Sequence, residues 1–160
     1  MKTLSSMAFA SLMTAFLMTT VPQDKPAKKG EALHLGNFSV SLTVKDIEAS
    51  KAFYEKLDFK PVAGNVKQRW LILQNGTTTV GLFQGVFERN TMTFNPGWNH
   101  KMETPESFQD LRELQRTLKE RGIKLQTEAD PKGEGPASFS TADPDGNPIL
   151  FDQHVPKPKK

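Results

Sequence analysis

Cysteine is absent from this chain of 160 residues. Disulfides, thiol catalysis and thiolate-held zinc are therefore excluded, as is lipid attachment through an N-terminal cysteine. The absence does not identify a redox compartment. Histidine is scarce, with only His34, His100 and His154, and so scattered a trio reads as incidental before it reads as a site. No apolar run is long: the best, Met7–Val21, falls short of the roughly 20 residues that span a bilayer. A basic body is missing too. The net charge of +3 comes from Lys2, Lys25, Lys28 and Lys29 at one end and Lys157, Lys159 and Lys160 at the other. Residues 31–155 hold 14 basic against 17 acidic side chains, a net −3. A nucleic-acid-binding domain needs its positive charge on the folded body, so that class is set aside. The eleven glycines and eleven prolines are scattered, which gives turns and no low-complexity body.

A basic start, a short apolar run and then the polar VPQDKPAKKGE at 21–31 fit a secretory signal, although no Ala-x-Ala cut is visible. The expected organisation is a signal segment at 1–21 and a polar linker at 22–33. A domain at 34–155 follows, in modules of about 34–87 and 88–155, and then a basic tail at 156–160. Linker and tail lack an apolar period and are expected to be disordered. The expected location is periplasmic or secreted, without stable membrane insertion after export.

Residues 38–44 alternate strictly: Phe38, Val40, Leu42 and Val44 are apolar, Ser39, Ser41 and Thr43 polar. Period two predicts a strand with one greasy and one hydroxyl-lined face. Asp46 is placed to cap a helix whose buried stripe is Ile47, Phe53 and Leu57. Phe59–Ala63 is a short strand ending at Gly64. Asn75-Gly76 between two apolar runs predicts a hairpin with a type I′ turn. Thr91–Asn95 begins a second round of the same order. Thr104–Ser107 supplies caps, with Pro105 at the first helical position, and Phe108, Leu111, Leu114 and Leu118 form the stripe. Gly122 ends that helix. Strands at 124–127, 137–141 and 148–152 follow, the last two joined by the turn sequence Asp143-Pro-Asp-Gly-Asn147. The predicted fold class is α+β, two tandem βαβββ modules with curved mixed sheets forming a cup. The modules pair within one chain or are swapped in a homodimer, because bare strand edges invite pairing.

Three segments carry a family resemblance: VSLTVKDIEASKAFYEKLDF at 40–59, LILQNGTTTVGLFQG at 71–85 and ASFSTADPDGNPILFDQH at 137–154. The first resembles the entry to the first helix in vicinal oxygen chelate proteins, the glyoxalase, bleomycin-resistance and extradiol-dioxygenase superfamily. The DPDGN turn before a last apolar strand resembles the end of their second module. GLFQG…TFNPGW at 81–98 is similar to a bacterial glyoxalase-like subgroup. The resemblance implies a cup that commonly holds a divalent metal on His, Gln or Glu. The metal serves as a Lewis acid on vicinal oxygens. The corresponding places here hold Ser39, Gly81 or its neighbour, one of Thr91, Thr93 and Asn95, and Leu150. Hydroxyls are poor ligands beside His and carboxylate, and Gly and Leu side chains coordinate nothing. The resemblance therefore argues for the fold and against its usual metal. No metal, cofactor or catalytic residue is expected.

By alternation Ser39, Thr79, Gly81, Phe83, Thr93, Asn95, Leu150 and Asp152 share the concave side, with Trp70. The residues expected to meet a ligand are Ser39, Trp70, Phe83, Asn95, Trp98 and Asp152. Small hydroxyls, one amide, one carboxylate and aromatics suit a neutral or aromatic small molecule. Trp98, on a Pro-Gly turn, reads as a flap or as cover for a core edge. Three functions stay open. The first is an exported protein that sequesters a small molecule without metal. The second is a glyoxalase-type lyase or isomerase with atypically placed groups, such as Asp152, His154 and His100. The third is a dimerisation or interaction module.

Overall fold

A computed structural model describes residues 32–159; the expected signal segment and most of the linker lie outside them. The first module runs β1 (Asn37–Thr43), α1 (Ile47–Glu55), β2 (Lys60–Asn65), β3 (Trp70–Asn75) and β4 (Thr78–Phe83). The second runs β5 (Thr91–Asn95), α2 (Leu111–Glu120), β6 (Leu125–Thr127), β7 (Ala137–Ala142) and β8 (Pro148–Gln153). The repeated βαβββ order follows from the alternation and capping signals of the sequence.

The eight strands form one mixed sheet in the order β2-β3-β4-β1-β5-β8-β7-β6. Each module pairs its first strand in parallel with its last, β1 with β4 and β5 with β8. The modules join within the chain through antiparallel β1 and β5, Asn37 opposite Asn95 and Ser41 opposite Thr91. The edges are β2 and β6. Pro61 and a register shift between Pro61 and Ala63 blunt the first, and the second has only three residues. Such features discourage edge-to-edge pairing.

Directly opposed residues point to one side of a sheet. One face therefore carries Val40, Leu42, Val80, Leu82, Leu71 and Leu73 in the first module, and Phe94, Phe151 and Phe139 in the second. The helices cover this face. Ile47 of α1 packs into the Leu71, Leu73, Val80 and Leu82 cluster. Leu111 and Leu114 of α2 pack on Phe139 and Phe151. The opposite face is free of helices and carries the hydroxyl row.

Four local expectations need correction. Phe53 and Leu57 are 58% and 50% exposed. Ile47 and Tyr54, one heptad apart, form the packed stripe of α1 instead. The helix is only nine residues long, and Asp58 turns left-handed at φ 61, which carries Leu57 off the sheet. α2 starts at Leu111, capped by Asp110, so Thr104, Pro105 and Phe108 precede the helix. Asp110 prevails because its carboxylate takes the Arg112 N–H while Gln153 takes that of Leu111, satisfying two free donors at once. The β3–β4 turn is Gly76-Thr77 with positive φ at Gly76 and not at Asn75, which fits type II′ rather than I′. The tail is docked as far as it is described. Val155 Cγ2 lies where a side chain on Gly97 would stand, and Lys157 donates its N–H to Glu134 O at 2.8 Å.

Candidate functional site

The helix-free face is built from strand alternation alone. Ser39 lies between Thr79 on β4 and Thr93 on β5, Thr93 faces Leu150 on β8, and Ser41 faces Gly81. Trp70 is opposite Phe83, and Asp152 opposite Ser138. Ser39, Ser41, Thr79, Thr93 and Asn95 are buried on this face. Ser41 Oγ pairs with Thr93 Oγ1 at 2.9 Å. Thr79 Oγ1 accepts from Asn37 Nδ2 at 3.4 Å and from Gln74 Nε2 at 3.3 Å.

The four places implied for metal ligands thus converge on one face, as Ser39, Gly81, Thr93 and Leu150, and hold no carboxylate or imidazole. The space is also taken. A Cβ on Gly81 would stand 2.5 Å from Cε2 of the Phe83 ring and 3.3 Å from Ile72 Cδ1. The ring of Phe83 lies where a ligating side chain from β4 would project. Among the described residues no three of His, Asp and Glu come together in a way that could hold a metal ion. These residues do not fit the family's divalent ion.

The six residues singled out in the sequence separate into two groups. Asn95, Trp98 and Asp152 gather where β5 and β8 end. Asn95 Nδ2 donates to Asp152 O at 3.1 Å. The Trp98 backbone is held from both sides, its N–H donating to Asn95 O and its carbonyl accepting from Asn37 N. Its indole stacks on the His154 imidazole, centroids 4.4 Å apart and planes within 15°. His154 Nε2 is 3.3 Å from Asp152 Oδ2. Burial pushes the Asp152 carboxyl above its ordinary range, and the charge of His154 pulls it partly back. Trp70 and Phe83 sit at the opposite end of the face, beside Thr43. Six residue steps along β1 separate the Asn37 and Thr43 rows, roughly 20 Å at strand rise. Ser39 lies between them. One small ligand does not span both groups.

Three contributors were missed. Phe87, in the loop after β4, meets Phe83 edge-on at 4.8 Å, and its carbonyl accepts from Thr43 Oγ1 at 2.9 Å. No sequence periodicity marks a loop aromatic. Gln74 falls on the face by the same alternation as Trp70 and donates to His100 O at 2.6 Å. His154 joins the ligand-facing group through its stack on Trp98 and its approach to Asp152. His100 is not part of the Asp152–His154 pair; it borders a groove at the start of β1 and β4.

That groove, about 1080 Å³, lies over Phe38, Val40 and Val80, next to the first turn of α2. Neither helix covers β1 there, and Phe38 is 46% exposed.

The model of the Glyoxalase/Bleomycin resistance protein/Dioxygenase superfamily matches residues 33–151. No curated protein matches. Similar solved structures include one described as an NAD-dependent benzaldehyde dehydrogenase from Legionella pneumophila, at 18% identity and TM-score 0.55, covering 73% of this chain and 98% of that one. A catechol 2,3-dioxygenase matches at 16% identity and TM-score 0.51, covering 78% of this chain and 42% of the dioxygenase. A hypothetical protein from Bacillus halodurans C-125 matches at 14% and 0.50, covering 79% and 98%. Identities this low speak for the fold alone. The repeated modules, their junction through β1 and β5, and the matched span agree: the chain belongs to the glyoxalase/bleomycin resistance/dioxygenase superfamily.

Proposed function

We propose that the chain is an exported member of this superfamily that binds a small neutral or aromatic molecule in its cup without a metal. The observation that carries the reading is the occupancy of the four ligand places by Ser39, Gly81, Thr93 and Leu150, with the Phe83 ring folded over Gly81. Trp70, Phe83 and Phe87 supply aromatic faces at one end of the cup. Stacking on such faces retains flat, weakly polar ligands. Asn95, Trp98 and Asp152 supply directed polar contacts at the other end. A thermal-shift screen of aromatic small molecules, with and without divalent ions and chelator, tests this. The expected result is stabilisation by a subset of aromatics that chelator leaves intact and Trp70→Ala removes. Stabilisation only by zinc or nickel refutes it.

A second reading is favoured by one contact. The Asp152–His154 pair, 3.3 Å apart beside Trp98, could move a proton on a bound substrate, as a glyoxalase-type lyase requires. Turnover of an α-ketoaldehyde–thiol adduct that His154→Gln abolishes supports this reading; absence of turnover leaves the binding protein.

Export rests on Lys2 and the Met7–Val21 run ahead of a polar linker. Cell fractionation that finds the chain with Met1 intact in the cytoplasm contradicts it. A homodimer is also proposed. Its surface candidates are the exposed Phe53, Leu57 and Val62, since both sheet edges are short or blunted. Light scattering that gives a clean monomer sinks that part.

A further inference from the structure

The groove opens at the start of β1 and β4, over Phe38, Val40 and Val80 of the helix-bearing face, and meets the cup only at its rim, where Asn37, Thr79 and Trp98 border it. It exists because α1 covers the first module and α2 the second, which leaves β1 in the middle bare. Its floor is apolar and its walls include the aromatics Trp98 and Phe108. Of the 21 residues that line it, none is Lys or Arg, two are histidines, His34 and His100, and one, Glu113, is acidic. Glu113 is exposed in the first turn of α2. Among the described residues no ion pair or hydrogen bond engages its carboxylate. The positive end of α2 does not recruit an anion there, because Gln153 and Asp110 already accept the N–H groups of Leu111 and Arg112.

We propose that this groove binds an organic cation with an apolar body, an aryl- or alkyl-substituted ammonium, with Glu113 facing the charge and Phe38, Trp98 and Phe108 facing the body. Three aromatic rings and one free carboxylate around an apolar floor are what such a cation needs. The rings offer cation–π attraction and apolar contact, and the carboxylate offers charge without competition from a lysine or arginine. The volume is sufficient for a molecule of drug size. A neutral ligand of the same shape gains only the floor, and an anion meets Glu113. Trp98 borders both the cup and the groove, so Glu113, which lines the groove and not the cup, is what separates the two readings. The chain has two tryptophans, so Trp70→Phe, in the cup, leaves Trp98 as the sole reporter.

The experiment titrates the full chain carrying Trp70→Phe with benzyltrimethylammonium at low ionic strength, following Trp98 emission. Calorimetry on the unaltered chain gives a reading independent of how that variant folds. The expected result is saturable binding, weakened about tenfold by Glu113→Gln and about tenfold for the uncharged isostere neopentylbenzene. Glu113→Gln is a conservative change at an exposed position, so its fold is not at risk. Absence of saturable binding, equal affinity for the neutral isostere, or indifference to Glu113→Gln overturns the proposal.

Discussion

The two helices begin on the same residue type in opposite surroundings, and replacing each cap with alanine separates capping from burial. Asp46 is exposed, and its carboxylate accepts the Ala49 N–H at 3.1 Å. Asp110 is 2% exposed. It accepts the Arg112 N–H at 2.9 Å and Gln153 Nε2 at 3.3 Å, and lies 3.5 Å from Arg112 Nη1. Arg112 is itself 8% exposed, and Nη1 has no hydrogen-bond partner, so Asp110 is its counter-charge. Asp46→Ala loses a cap and costs about 1 kcal/mol. Asp110→Ala loses the same cap and strands a buried guanidinium, for a total of about 3–5 kcal/mol. That is a large share of the roughly 5–15 kcal/mol that holds a domain together. Adding Arg112→Met to Asp110→Ala recovers only part of the loss. The guanidinium also donates to Asp130 O and Gly135 O; Gly135 O then loses this donor, while Asp130 O keeps the Gly133 N–H. Urea denaturation of the two single variants and the double variant measures all three terms. Equal costs for Asp46→Ala and Asp110→Ala would show that Asp110 is not the counter-charge of Arg112.

Other outcomes follow from the same contacts. Gly81→Ala drives a Cβ into the Phe83 ring, costs about 1–3 kcal/mol, and is largely rescued by Phe83→Leu; additive costs in a double-mutant cycle would show that the ring does not lie there. Leu73→Ala opens a cavity in the first core and costs about 2–5 kcal/mol by urea midpoint, whereas Phe53→Ala, on the exposed side of α1, shifts the midpoint little. Because burial raises the Asp152 carboxyl in the folded state, that group's contribution to stability is fullest below the unfolded carboxylate range and is lost as pH rises through the folded value. Asp152→Asn therefore gains on the unaltered chain between about pH 3 and about pH 8; the reverse trend in paired unfolding curves contradicts the assignment.

The strands and the helix-free face could be read from the sequence because strand geometry is local. Alternation at Ser39, Ser41 and Thr43 sets a face whatever lies across it. The pairings with Thr79, Gly81, Thr93 and Leu150 then followed from the repeat. Helix boundaries depended on distant partners. Asp110 outcompetes Thr104 as a cap because Gln153, 43 residues away, completes the arrangement. The stripe of α1 differs from the periodic expectation because periodicity does not show that a helix stops after nine residues. Likewise, no local pattern brings Phe87 onto Phe83, or stacks Trp98 on His154, since both contacts are made by loops. The groove was not visible in the sequence at all. It is a gap between two helices, fixed only once both are docked.

This cup keeps the family's fold but offers no imidazole or carboxylate at Ser39, Gly81, Thr93 and Leu150 to hold its metal. The most direct test is elemental analysis of the purified chain after incubation with zinc or nickel and desalting, joined to a crystal structure grown with the same ion. The expected result is far less than one ion per chain, with none between the strands bearing Ser39 and Leu150. Ser39→His with Leu150→Glu should raise retention, because both positions flank Thr93 on one face. An ion at full occupancy in the unaltered chain, held between those strands, would contradict the account and favour the enzyme reading.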